Sequence, residues 1–300
     1  MKIIITGTSG FVGRNLKTYL KDNGYSIQQI SLRNNEWLNT IDDKGDALIH
    51  LAGKAHDTKN TAAPEVYYEV NTELTKKLFD FFLSSDIRDF FYFSSVKAVK
   101  DKVDVILDEN TVAAPQTPYG KSKYAAEQYV REQKIPSGKR VFILRPTMIH
   151  GPGNKGNLNL LYTLVTKGIP WPLAAFENAR SFLGIDNLNY IISEILRKPA
   201  IASGIYNVAD DGFIATNRLI ELIAESQSKA PRLWRVNSNW IAVAAKAGDK
   251  LKLPLNSERL QKLTDNYQVS NTKIKKALGI KNLPLSAEEG LKKTFESFKK

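Results

Sequence analysis

The feature that most constrains this chain lies at its very start. Lys2-Ile3-Ile4-Ile5-Thr6 is a β-branched apolar run, and Gly7-x-x-Gly10-x-x-Gly13 follows it without a break. A run with no polar alternation reads as a strand buried on both faces, which means a parallel sheet. Beyond the glycines, Phe11, Val12, Leu16, Tyr19 and Leu20 fall on one helical face, and Gly24 closes that helix. Each glycine has a physical task in such a unit. Gly7 permits a tight turn, Gly10 lets the backbone approach a pyrophosphate, and Gly13 lets the helix pack down on the sheet. The helix N-terminus then offers unsatisfied N–H groups and the positive end of its dipole to phosphates. Strand, glycine turn and helix together predict a dinucleotide site.

The rest of the chain continues that plan. Strands are expected at 27–32, 46–51, 90–94 and 140–144, alternating with helices at 65–85 and 119–134. This alternation predicts an α/β fold, a doubly wound parallel sheet of Rossmann type over residues 1–150. After about residue 150 the texture changes. Gly151-Pro152-Gly153, Gly156 and Pro170-Trp171-Pro172 break the regularity, and short strands (181–185, 204–208) stand between helices (187–197, 216–228, 238–250, 286–298). Residues 151–300 are expected to form a smaller α+β lobe that binds substrate, with elements near 181–205 returning to the first domain.

Composition narrows the function classes. Cysteine is absent, which excludes disulfides, thiolate nucleophiles and Cys-based zinc sites and fits a reducing cytoplasm. His50, His56 and His150 are too few for a metal centre, so no metal is expected. The apolar run at the N-terminus is too short for a signal peptide, and no stretch reaches the length of a membrane span, so no membrane insertion is expected. The net charge of +12 comes from dispersed lysines, which speaks for solubility and an anionic small molecule and against nucleic acid.

At the end of the second expected strand, Ser31-Leu32-Arg33-Asn34-Asn35 carries no acid to bind ribose hydroxyls, and Arg33 is placed to accept a 2′-phosphate. The cofactor is therefore NADP or NAD, with NADP favoured. Thr117-Pro118-Tyr119-Gly120-Lys121-Ser122-Lys123 holds the one tyrosine of twelve with lysine at the fourth following position. That spacing puts Tyr119 and Lys123 on one helical face.

With these residues in hand, the chain resembles the extended short-chain dehydrogenase/reductases, in particular the NAD-dependent epimerase/dehydratase family of nucleotide-sugar enzymes. Leu48-Ile49-His50-Leu51-Ala52-Gly53, Val70-Asn71, Phe93-Ser94-Ser95, the Tyr119–Lys123 segment, Arg145-Pro146, Arg180-Ser181-Phe182 and Tyr206-Asn207-Val208 match the family's segments in order. The resemblance implies a cofactor contacted by Gly7, Ser9, Gly10, Phe11, Val12, Gly13, Arg33, Leu51, Ala52, Gly53, Asn71, Lys123 and Pro146. It implies a substrate of the UDP-sugar class, contacted by Ser94, Ser95, Lys97, Tyr119, Asn157, Arg180 and Arg259. It also implies a homodimer through helices 65–85 and 119–134.

Within the family the nearest likeness is to enzymes acting at C4 in surface polysaccharide synthesis, 4-epimerases and 4-keto-sugar reductases. Tyr119 is then the catalytic acid/base and Lys123 lowers its pKa and holds the nicotinamide ribose. Arg180 binds the diphosphate in bidentate fashion. Two departures stand out. Val96 occupies the place of the family's usual hydroxyl, which leaves Ser95 or Lys97 to assist, and Lys97-Ala98 replaces the Asp-Glu pair of the dehydratases. About a dozen residues separate Arg33 from Asp46, where the family fits another strand and helix. The adenine pocket is expected to be abbreviated, and the resemblance carries the adenine contact over to Asp42.

Overall fold

The computed structural model describes residues 1–33, 36–54, 63–154, 156–251 and 256–299, apart from the side chains of 258, 259 and 262. The first half runs β1 (Lys2–Thr6), α1 (Phe11–Asp22), β2 (Ser26–Ile30), a single turn α2 (Trp37–Thr40), β3 (Ala47–His50), α3 (Pro64–Tyr68), a π-helical turn Glu69–Glu73, α4 (Leu74–Ser84), β4 (Asp89–Phe93), a 3-10 turn Val96–Ala98, α5 (Pro118–Glu132) and β5 (Arg140–Pro146). The second half adds β6 (Met148–His150), α6 (Asn157–Thr166), β7 (Phe182–Gly184), α7 (Ile185–Arg197), β8 (Gly204–Val208), α8 (Thr216–Ser226), α9 (Ser238–Leu251), α10 (Ser257–Thr264), α11 (Thr272–Leu278) and α12 (Ala287–Ser297).

The strands form a parallel sheet in the order β2-β1-β3-β4-β5-β8. The unbroken apolar runs follow from burial on both faces. Ile3, Ile5, Ile49, Phe91 and Phe142 point to one side, where α1, α7 and α11 close over them. Ile4, Leu48, Phe90, Tyr92 and Ile143 point to the other, where α4, α5 and Trp37 of α2 cover them. A period of two therefore feeds two cores from the same strands. A separate apolar cluster, built from α6, α8, α9, α12 and the Trp171–Ala174 segment, lies in the second half.

Several elements depart from the sequence-based expectations. β7, among the elements expected to return to the first domain, pairs instead with β6 in a two-stranded ribbon, while β8 extends the edge of the main sheet beside β5. The single helix expected over 65–85 is interrupted by the π-helical turn. That turn carries the buried Asn71. Between β2 and β3 stands no further strand among the described residues, and β2 is the edge. Asp42 pairs with Lys2 at the N-terminal end of β1. In a parallel sheet that is the end opposite the cofactor, so the expectation of an adenine contact from Asp42 does not hold. Helices α6, α10 and α11 were not anticipated. α6 (NLNLLYTLVT) is apolar almost all round and has no amphipathic period, and the other two are short.

Two buried polar groups tie the layers together. Glu127 of α5 and Arg145 of β5 form an ion pair with almost no solvent exposure, and Ser94 donates its hydroxyl to the same carboxylate. His50 ends β3. Its ring nitrogens lie 2.8 Å from Thr6 Oγ1 of β1 and 3.0 Å from Thr75 Oγ1 of α4. Burial, assisted by the Lys123 charge, pushes the His50 pKa down to about 3, so the ring stays neutral.

Removing Glu127 strands a buried guanidinium, so Glu127→Ala lowers the unfolding free energy by about 3–5 kcal/mol in urea titrations, and Glu127→Gln by less. The His50 pKa is below the ordinary value of 6.5, so between pH 6.5 and 3 the unfolded chain binds the extra proton. Stability therefore falls as pH drops through that window, by about 1.4 kcal/mol per unit from this group. His50→Gln flattens that part of the stability–pH curve, as read from denaturation midpoints across the window.

Candidate active site

The C-terminal ends of the parallel strands converge on one crevice, where open α/β sheets bind their ligands. At its floor, Gly7 has φ +72°, and a Cβ there would sit 2.6 Å from Ala52 N. Gly10 N–H donates to Gly7 C=O at 3.1 Å and closes the turn. A Cβ on Gly13 would lie 2.3 Å from that same carbonyl oxygen, so only glycine lets α1 pack this close. No side chain caps α1 at Gly10, and no acid stands in its first turn. A cradle of glycine backbone against an uncapped helix N-terminus fits a pyrophosphate. Ser9 is exposed at the rim, and Phe11 and Val12 are half-buried beside it. The Gly151 loop closes down here, since a Cβ on Gly151 would fall 3.4 Å from Phe11 Cζ.

Along the crevice, Ala52 N–H donates to Thr6 Oγ1, which fixes the segment after β3. Asn71 Oδ1 accepts from Lys54 N–H at 2.8 Å, and its amide donates to Ser122 Oγ at 3.0 Å. A Cβ on Gly53 would meet Asn71 Oδ1 at 3.0 Å and Lys123 Nζ at 3.1 Å. Gly53, Asn71 and Lys123 are thus one packed group. Pro146 ends β5 and is buried. Arg33 is exposed just past β2. These residues fit a nicotinamide dinucleotide laid across the strand ends.

The Tyr119–Lys123 pair sits on the first turns of α5. Thr117 Oγ1 caps that helix by accepting Gly120 N–H at 3.2 Å, and Asp101 in turn accepts from Thr117 Oγ1 and from Gln116 N–H. Gly120 packs so tightly on the 3-10 turn that a Cβ would lie 2.4 Å from the Lys97 carbonyl oxygen. This contact holds Ser95 and Tyr119 in register. Ser95 Oγ accepts Lys97 N–H at 3.2 Å and hydrogen-bonds to Tyr119. Against the expectation that Lys123 lowers it, burial raises the Tyr119 pKa above its ordinary value, and it is the Ser95 bond that opposes that rise. The Tyr67 ring stands edge-on to Tyr119 at 6.4 Å. Lys123 is buried, donates to Phe93 C=O at 2.8 Å, and has its pKa pushed down to about 8 by burial.

Val96 is buried with Val99, Val103, Leu107 and Tyr267, in an apolar cluster of its own. The side chain in the usual hydroxyl's place thus packs as core, and Ser95 supplies the hydroxyl at Tyr119. Ser94 is committed to Glu127. Lys97 Nζ donates to Asp101 C=O at 2.7 Å and lies 3.9 Å from the centre of the Tyr267 ring.

Tyr267 is the residue the sequence did not single out. Its backbone bridges Arg180, its hydroxyl donates to Lys100 C=O at 2.6 Å, and its ring carries Lys97. Arg180 and Lys97 are therefore assembled on one tyrosine from 87 and 170 positions away in the chain, separations no local motif signals. Arg180 is half-buried. Burial lowers its pKa, with Asp265 and Tyr267 acting the other way. Asn157 is exposed at the start of α6. The Arg259 side chain lies outside the described residues. Among the described residues no cluster of His, Asp and Glu could hold a metal ion. No helix among them is long and apolar enough to cross a membrane.

Comparison with known proteins agrees with this geometry. UDP-glucose 4-epimerase of Vibrio cholerae is 30% identical, over 99% of this chain and 95% of its own. The UDP-N-acetylglucosamine 4-epimerase of Bacillus cereus superposes with a TM-score of 0.78 at 18% identity, over the full length of both chains. The dTDP-4-dehydrorhamnose reductase of Bacillus anthracis, solved with NADP, superposes with a TM-score of 0.77 at 19% identity over 98% of each. The model of the NAD dependent epimerase/dehydratase family matches residues 3–209, from the first strand to the end of the main sheet. With the glycine cradle, the Tyr119–Lys123 helix and this match in place, the chain belongs to the NAD-dependent epimerase/dehydratase family.

Proposed function

We propose that this protein is a nucleotide-sugar oxidoreductase that works at C4 of a UDP-linked hexose or N-acetylhexosamine, in the direction of 4-keto-sugar reduction. The observation that carries the reading is Tyr119: a phenol kept protonated by burial, hydrogen-bonded by Ser95, one helical turn from Lys123. The dinucleotide, when bound, supplies the hydride. As the carbonyl carbon receives it, the developing alkoxide needs a proton. Tyr119 gives that proton through its O–H bond and is left as phenolate. Ser95 already accepts Lys97 N–H, so its own O–H donates to the tyrosine oxygen and steadies the phenolate. The Lys123 ammonium, buried one turn on, adds charge of the right sign. Arg180, with Lys97 nearby on Tyr267, is suited to the diphosphate. Arg33, with no acid in the 31–35 segment, favours NADP.

C4 epimerisation is the second reading. The Vibrio cholerae relative, matched over nearly all of both chains, is named a 4-epimerase. The two readings separate in one experiment. Purified protein is incubated with UDP-GlcNAc and no added cofactor, and in parallel with NADPH and a UDP-4-keto-6-deoxy-N-acetylhexosamine. NADPH consumption only with the keto sugar supports reduction, whereas conversion to UDP-GalNAc without cofactor supports epimerisation and removes the first reading.

Tyr119→Phe lowers kcat by ~10²–10⁴ with little change in sugar KM, as steady-state kinetics will show. Arg33→Ala weakens NADPH binding by ~10-fold, about 1.4 kcal/mol, and leaves NADH binding unchanged in fluorescence titration. Equal losses for both cofactors would reject Arg33 as the 2′-phosphate contact.

A further inference from the structure

Helix α9 has two apolar faces, and among the described residues one of them is covered and the other is not. Ile241, Ala245 and Gly248 are buried, and the first two join the cluster containing Trp171, Leu173 and Leu260. At 3.6 residues per turn, Trp240, Val243, Ala244, Ala247 and Leu251 fall on a second stripe of the same helix. That stripe is open to solvent. Trp240 is 73% exposed, Val243 61% and Leu251 68%. Trp234, in the segment leading into the helix, is 58% exposed. A lone exposed leucine needs no explanation, whereas a periodic stripe with a tryptophan at its head does.

The charges around the stripe say what it suits. Residues 229–251 carry Lys229, Arg232, Arg235, Lys246 and Lys250 against a single acid, Asp249. The Asp249 carboxylate is occupied by Ser257, accepting its N–H at 2.9 Å and its hydroxyl at 2.6 Å. Lys246 and Lys250 are exposed and flank the stripe along one side. The whole chain adds a net charge of +12. An exposed apolar stripe with tryptophan, edged by cations, is the chemistry of a helix that lies in the interface of an anionic bilayer. A second copy of this chain fits the same stripe poorly. Fourteen residues make a helix about 21 Å long, and five side chains, two of them alanine, fall well short of the roughly 20–30 residues a side of a stable interface.

We propose that α9 and the segment before it dock this protein on an anionic lipid surface, with Trp240, Val243 and Leu251 entering the headgroup boundary and the flanking Lys and Arg residues facing the lipid phosphates. Docking of this kind is peripheral, holds the substrate lobe against the bilayer, and stands independently of the reaction performed at Tyr119.

The test is co-sedimentation of the full chain with vesicles of phosphatidylethanolamine and phosphatidylglycerol, beside vesicles of phosphatidylcholine. The expected result is pelleting with the anionic vesicles alone, weakening several-fold as salt rises. The double variant Val243→Asp, Leu251→Asp keeps its circular dichroism spectrum and its turnover in solution but loses ~10-fold or more of the binding, and Lys246→Glu, Lys250→Glu loses the anionic preference. Absence of pelleting with anionic vesicles at low salt overturns the proposal, as does a double variant that pellets like the parent. A concentration-dependent dimer that dissociates in the double variant, with no vesicle binding, also overturns it and assigns the face to a second copy.

Discussion

Much of the site hangs on one buried carboxylate. Glu127 is removed from water, and its charge is balanced by Arg145 from β5 and by the Ser94 hydroxyl from the end of β4. Three elements are thereby pinned to one point, and α5 cannot rotate without breaking a desolvated ion pair. Two turns up that helix is Tyr119, and one turn up is Lys123. The strand end that supplies Ser94 also supplies Ser95. The pair thus sets the register between Tyr119 on α5 and Ser95 at the end of β4. The same geometry explains why a buried ion pair is kept at all, given its desolvation cost: an apolar pair of equal volume would pack, but would not fix direction.

The electrostatics of the crevice run in a consistent sense. Burial lowers Lys123, lowers His50 and raises Tyr119, so in each case the neutral form gains. Lys123, lowered only to about 8, still carries its charge near neutral pH, beside a neutral His50 and a protonated Tyr119. In the proposed reaction, charge appears at Tyr119 only when a proton has left it, and Ser95 is hydrogen-bonded at that oxygen. Preorganised donors at the place where charge develops are an efficient form of stabilisation, because no reorientation is needed at the moment of transfer.

The local parts of this arrangement were legible in the sequence. Glycines 7 and 13 stand where a Cβ has no room and Gly10 between them where it would be tight, and the Thr117-Pro118 start of α5 is a capping signature followed by the Tyr119–Lys123 spacing. What was not legible depends on distant contacts. Tyr267 collects Arg180 and Lys97 through backbone bridging and a ring face, and nothing near position 267 signals it. The π-helical turn at Asn71 was hidden inside a helical period because the extra residue shifts the phase by only part of a turn. The late strands stand close to where the sequence puts them, but that β8 and not β7 joins the main sheet is a matter of strand order, which is not written in any one strand.

The short connection between β2 and β3 has a consequence for the crevice. A longer family loop would wall the adenine side of the crevice. Here β2 is the sheet edge, its outward residues are polar, and the single turn α2 turns Trp37 inward to the core. The glycine cradle fitted to a pyrophosphate thus lies one strand in from an edge that, among the described residues, carries no further strand. That edge presents Ser26 and Gln29 to solvent, so the side of the crevice next to β2 is bounded by polar side chains and not by a second apolar layer.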